Sequence, residues 1–284
     1  MRNLVMKALK SKHFGRKYIL TKKIKIMRTK LSIFKCLLLI CTLCMISLNV
    51  TAQTRLSQKT PKNKNTKKYI YLTFDDGPLQ GSEYINKIIL AEKIKISVFL
   101  VGEHVMMDRT MDDYYKFYEE NPYIEEYNHS FSHANEKYDE FYSHTGKAVA
   151  DFLKNAKLLK FSYKIARLPA RNMWRIDGRR RDDIPSGSKT ADSLQHIGYK
   201  VAGWDIEWQH KGVAAIPIQS VDEMYKEICT MAKTNNTFTP NNVVVLLHDE
   251  MFQKKWEESE LKQLIDKLRK NKDFVFEQLR FYPQ

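Results

Sequence analysis

Tyr69-Ile-Tyr-Leu-Thr-Phe-Asp-Asp-Gly-Pro78 decides how this 284-residue chain is read. Its β-branched and aromatic residues form an apolar run of strand length. The run stops at two adjacent carboxylates followed by Gly-Pro, a combination that favours a turn. Asp75 and Asp76 therefore stand at the C-terminal end of a strand, where α/β proteins keep their sites. Adjacent strand residues point to opposite sides, but a turn starting there can bring both carboxylates to one pocket. Alone, the stretch also reads as an Asp-rich turn capping the next helix, so the decision lies further along the chain.

From Tyr69 onward strand-like and helix-like stretches alternate. Strands are expected at 69–74, 96–101, 123–127, 163–168, 199–204, 243–247 and 274–276, and helices at 82–93, 111–120, 147–160, 189–197, 220–233 and 257–270. Seven strands separated by helices imply a parallel sheet or barrel, with no internal repeat and no linker to divide it. Cys229 lies on the apolar face of the fifth helix, where packing explains it better than chemistry.

The net charge of +15 is misleading as a guide to partners. Residues 1–68 carry eighteen Lys and Arg and no acid, which leaves 30 basic against 33 acidic residues from Tyr69 onward. A nucleic-acid surface has no support there. Residues 1–52 read as an N-terminal extension and signal peptide: a basic segment from Met27, an apolar run Cys36 to Leu48, then Val50-Thr51-Ala52 before a cleavage point. The run is short for a permanent membrane helix, so no stable membrane insertion is expected after cleavage. Export to the periplasm, cell surface or medium follows. Residues 53–68 read as a Lys-rich disordered tether, and 69–284 as a single catalytic domain. Three of the four cysteines fall in the leader, so Cys229 has no intrachain partner.

Polar residues recur where the strands end: His129 and His133, Arg167, Asp205 and Glu207, and His248. Two histidines four apart fall on one face of a helical turn, and with a carboxylate they make a metal-binding set that leaves positions open. Any one of these residues could be structural. Five strand ends bearing such groups are hard to assign to packing.

Thr73-Phe-Asp-Asp-Gly-Pro78, His129-Ser-Phe-Ser-His133, Arg167-Leu-Pro, Trp204-Asp-Ile-Glu-Trp208 and Leu247-His248 resemble, in order, the five motifs of the polysaccharide deacetylase (NodB-homology carbohydrate esterase) family. The resemblance implies a distorted (β/α)7 barrel. It implies that Asp76, His129 and His133 hold a divalent metal, usually zinc, that Asp75 is the general base, and that Arg167 orients Asp75. It further implies that His248 protonates the leaving amine, aligned by Glu207 or Asp205, and that the backbone N–H of Ala170 stabilises the oxyanion. Pro169, Ala170, Arg171 and Trp208 would then line the substrate groove. Two departures stand out: Arg167-Leu-Pro-Ala-Arg171 lacks the aromatic residue and glycine usual in the third motif, and Glu207 precedes Trp208 where an aspartate is usual. The charged segment 172–189, with Arg175, Arg179, Arg180 and Arg181, is either a solvated loop or a grip for an anionic glycan. The expectation is a deacetylase acting on an acetylated glycan, N-acetyl before O-acetyl; the rival is a glycan-binding domain that has lost catalysis.

Overall fold

The computed structural model describes residues 67–255 and 258–283, all within one compact unit, Thr66–Gln284. The expected leader and nearly all of the tether lie outside the described residues. Among those described, no helix is long and apolar enough to cross a membrane.

The fold is built on β1 (Lys68–Gly77). Its apolar run is continuous because both faces are covered, as in a parallel sheet between two layers. Ile70, Leu72 and Phe74 face the helical layer, while Tyr71 joins Phe99, Tyr127 and Val244 in the interior. On either side lie β2 (Ile96–Leu100), followed outward by β3 (Ile124–Asn128), β4 (Ile165–Ala166) and β7 (Lys200–Val201), and β11 (Asn242–His248), followed by β8 (Ile206–Glu207). These pairings are all parallel. Read cyclically, the strands follow chain order, with no pairing between β7 and β8 among the described residues. The sheet is therefore a curled, open form of the (β/α)7 barrel.

At that seam the chain itself makes the crossing. The amide of Ala202 still donates to Ala166 on β4, and the amide of Asp205 already donates to Val244 on β11. The carbonyls of Ala202 and Gly203 turn inward to the Arg167 guanidinium, at 3.1 and 2.7 Å. This is why the expected strands at 163–168 and 199–204 shrink to two residues each. A Cβ on Gly203 would fall 2.1 Å from the Asn172 side-chain oxygen, so glycine is required there. One expectation needs correcting: Phe274–Phe276 (β12) pairs only with the start of β1, and the seventh strand of the ring is Ile206–Glu207. That pair is too short and too polar to show as an apolar run.

The helices are α1 (Ser82–Glu92), α2 (Gly102–Val105), α3 (Arg109–Glu120), α4 (Tyr138–Ser143), α5 (Thr145–Leu159), α6 (Ser188–His196), α7 (Val221–Thr234) and α8 (Glu260–Arg269). Asp108 caps α3 through the Met111 amide, and Ser220 with Glu223 forms a capping box on α7. The segment 172–189 is no loose loop. It forms the hairpin β5 (Met173–Ile176) and β6 (Arg179–Asp182), added antiparallel to β7.

Candidate active site

At the C-terminal end of β1, Asp75 lies in register with His248 of β11. Asp76 adopts a left-handed backbone, φ 72°. This turns a side chain that would point outwards into the same pocket as Asp75. Such a backbone is unfavourable for a non-glycine residue and needs support. His104 supplies it by donating from Nδ1 to the Asp76 carbonyl at 2.6 Å. Asp249, fully buried, braces the turn from behind: it accepts from the Leu79 amide, the Ser82 hydroxyl and the Tyr118 hydroxyl.

His129 and His133 do not share a regular helical turn, as their spacing suggests. His129 follows β3, Ser130 is left-handed, and His133 opens a short 3-10 turn with φ 47°. The loop delivers both rings to Asp76 all the same. Their Nε2 atoms stand 3.2 and 3.0 Å from Asp76 Oδ1. Each ring has its other nitrogen on an acceptor: His129 Nδ1 on the Arg167 carbonyl at 3.0 Å, His133 Nδ1 on Glu136 Oε1 at 2.7 Å. Those partners hold a proton on each Nδ1 and point both Nε2 atoms at Asp76, so that Nε2 is the nitrogen left to bind a metal once any proton on it is lost. The ligand atoms of Asp76, His129 and His133 lie within 4.8 Å of one another. Their chemistry fits a divalent cation of the zinc type, with coordination positions left open. Burial alone would push Asp76 up, but the two imidazoles hold it well below its ordinary value. Burial would lower His133, yet Asp76 and Glu136 raise it to about 9.

Arg167 is fully buried and makes four bonds. Besides the two seam carbonyls it reaches Thr73 Oγ1 at 2.8 Å and Asp75 Oδ1 at 2.7 Å. Its guanidinium stacks on Phe99, 4.3 Å from the ring centre. The other Asp75 oxygen, Oδ2, lies 3.6 Å from His129 Nε2. Asp75, Asp76, His129, His133, His248 and Ala170 all line one open cleft of about 470 Å³, together with Trp204, Glu207, His210 and Glu250.

Four expected contacts are corrected. Trp208 is wholly buried, donating to the Gln219 carbonyl and packing on Phe252, so it is a core residue and not a groove wall. Pro169 is also buried, its carbonyl taken by Tyr142. Arg171 turns away to Asp139 and the Ser186 carbonyl. Asp205 is spent on the backbone amides of Phe238 and Val244, and no hydrogen bond joins Glu207 to His248 among the described residues. The arginines of 172–189 are occupied as well. Arg175 bonds Asp182 and Asp192, Arg179 bonds Thr239 and the Pro283 carbonyl, Arg180 bonds Asp182 and Ser188, and Arg181 bonds the Trp204 carbonyl. Arg179 and Arg181 bind the hairpin to the barrel, and Arg175 and Arg180 bind it to itself and to α6, so each of these arginines has a partner inside the fold.

Sequence reasoning missed Glu136, His104, Asp249, His210 and Glu250. Glu136 had a signal, an acid three residues after a candidate ligand; His210 and Glu250 follow the fourth and fifth motifs by two residues each.

A curled parallel α/β barrel with a metal-ligand set at the carboxyl ends of its strands is the class that fold and site define. The family model "Polysaccharide deacetylase" matches residues 62–173. A chitin disaccharide deacetylase of Vibrio alginolyticus is 25% identical over 253 residues, covering 66% of this chain and 58% of that protein. The chain thus spans little more than half the length of that relative. Among solved structures, a Streptococcus mutans CE4 esterase has a TM-score of 0.56 at 20% identity, covering 75% of this chain and 87% of the other. The catalytic domain of a peptidoglycan N-acetylglucosamine deacetylase from Eubacterium rectale has a TM-score of 0.55 at 21% identity, covering 76% and 90%. Residues 62–173 thus match the polysaccharide deacetylase family model, and the solved structures share the fold.

Proposed function

We propose that the protein is an exported, metal-dependent deacetylase that hydrolyses the N-acetyl group of a glycan. The observation that supports this most is the convergence of Asp76, His129 and His133 beside Asp75 in one open cleft. A zinc-type cation held by Asp76, His129 and His133 would supply Lewis acidity for acyl transfer to water. Asp75, held at Oδ1 by Arg167, offers Oδ2 to take the proton of the attacking water. The Ala170 N–H, at the cleft wall, meets the developing oxyanion. His248 gives a proton to the leaving nitrogen as the C–N bond breaks, releasing acetate and an amine.

No Lys or Arg side chain is among the residues lining the cleft, whereas Glu136, Glu207 and Glu250 are. That charge pattern favours an uncharged N-acetylated sugar over one bearing uronate or lactyl groups. Chitin disaccharide and the N-acetylglucosamine of peptidoglycan, the substrates in the relatives' names, are the first to try. Acetate release by the purified protein, stripped by chelator and then reloaded with zinc, tests the reading. Metal-dependent release is expected, with KM for an acidic glycan about tenfold above that for a neutral one. Acetate from no glycan despite full metal uptake would leave a binding domain instead.

A further inference from the structure

An imidazole that delivers a proton from one ring nitrogen needs a partner on the other to hold its tautomer and direction. His248 lacks the one the family motifs imply. Its Nδ1 is buried without a hydrogen-bond partner among the described residues, and Asp205 is committed to backbone amides. What stands against His248 is His210. The two rings meet edge to face, with centroids 4.8 Å apart and planes at 64°. His210 Nε2 in turn lies 3.7 Å from Glu250 Oε1. His210 Nδ1 and Glu250 Oε2 are buried and unpaired as well, so three orphaned polar atoms sit on one wall of the cleft. Each buried polar group left without a partner opposes folding. An arrangement this unfavourable is expected where contacts tighten only with substrate present.

The position of His210 is itself built. It sits on the hairpin β9 (His210–Lys211) and β10 (Ile216–Pro217), which Gln219 ties down by bonding the Gln209 amide and the Glu207 carbonyl. Trp208 anchors the base of this hairpin from the core. Burial and the neighbouring His248 push His210 down, so its ring stays neutral beside a proton donor.

We propose that His210 and Glu250 are positioning residues for His248, taking the place of the carboxylate that the fourth motif supplies elsewhere. This rests on the deacetylase reading above. The chain of contacts runs from Glu250 to His210 to His248, and the proton that leaves His248 goes to the departing nitrogen as its bond to the acyl carbon breaks.

Leaving-group dependence separates this role from a structural one. A glycan amine must be protonated to depart, whereas p-nitrophenolate departs without help. His210→Asn and Glu250→Gln are therefore compared on an N-acetylglucosamine oligosaccharide and on p-nitrophenyl acetate. For the amide, kcat should fall about 100-fold with KM little changed, while the aryl ester rate stays within about twofold. His210→Asn should add nothing further in a His248→Ala background, and Glu250→Asp should restore part of the amide rate. Zinc uptake and thermal melting of each variant report whether the site is still folded. Equal loss on both substrates, or undiminished amide turnover, overturns the proposal and leaves the deacetylase reading intact. A wild type that cleaves neither substrate with metal bound defeats that reading, and this proposal with it.

Discussion

Asp75 has one oxygen on Arg167 and the other free towards the ligand cluster, which divides its work between structure and chemistry. Asp75→Asn keeps the shape and removes the basic oxygen, so kcat for acetate release should fall about 10²–10⁴-fold, with zinc affinity unchanged by calorimetry. Glu136→Gln acts the other way. It weakens the acceptor that directs His133, and zinc affinity should drop about 10–100-fold in a chelator competition. Metal uptake must also displace the proton from His133, which is raised to about 9. Apparent affinity should therefore climb as pH rises towards 9, and a flat profile between pH 6 and 8 would contradict this. Residue types at strand ends made the main group legible, because Asp75, Asp76, His129, Arg167 and His248 stand at or just past the ends of strands and His133 follows four residues after His129. Their supports were not legible. His104 acts through a backbone carbonyl, and Asp249 reaches residues about 170 positions away in sequence, so neither leaves a local pattern.

Among the elements, the seam between β7 and β8 carries the most consequence. Arg167 replaces ladder hydrogen bonds there with side-chain ones, to Ala202 and Gly203, while pairing with Asp75. Arg167→Lys cannot span these partners, and it leaves Asp75 buried without its fork. Unfolding free energy in urea should fall by about 3–5 kcal/mol, alongside the loss of activity. Long two-sided strands such as β1 and β11 were readable, since continuous burial demands a continuous apolar run. Two-residue strands were not, because β4, β7 and β8 are too short to show a period, and the carbonyls just past β7, of Ala202 and Gly203, are taken by Arg167. The arginines of the β5–β6 hairpin looked like a ligand grip. Charge in the sequence cannot say whether its partner lies inside the fold or outside it.

At the scale of the whole molecule, Asp249, fully buried, and Glu126, half-buried, are acids whose ionisation opposes folding. Burial raises Asp249 from 3.8 to about 7, against the hydrogen bonds it accepts, and burial with Glu119 nearby raises Glu126 from 4.5 to about 8. In each case the folded chain keeps a proton that the unfolded chain has already lost. Stability should therefore decline as pH rises, from about 4 to 7 through Asp249 and from about 4.5 to 8 through Glu126. Glu126 Oε1 has no partner, so Glu126→Gln should flatten the upper part of that decline and raise the melting temperature at pH 8. An unchanged slope would show that Glu126 ionises freely. At this scale the sequence was informative about charge: once residues 1–68 are set apart, the remainder is slightly acidic, and the cleft presents carboxylates.

The double duty of Arg167 has an evolutionary reading. A lineage that gave up turnover could let His248, His210 and Glu250 drift, since no side-chain hydrogen bond ties them to the barrel among the described residues. It would have to keep the guanidinium that closes the seam. Across descendants of this chain, an arginine at 167 would thus mark a barrel that still folds, and the histidine wall opposite would mark one that still works.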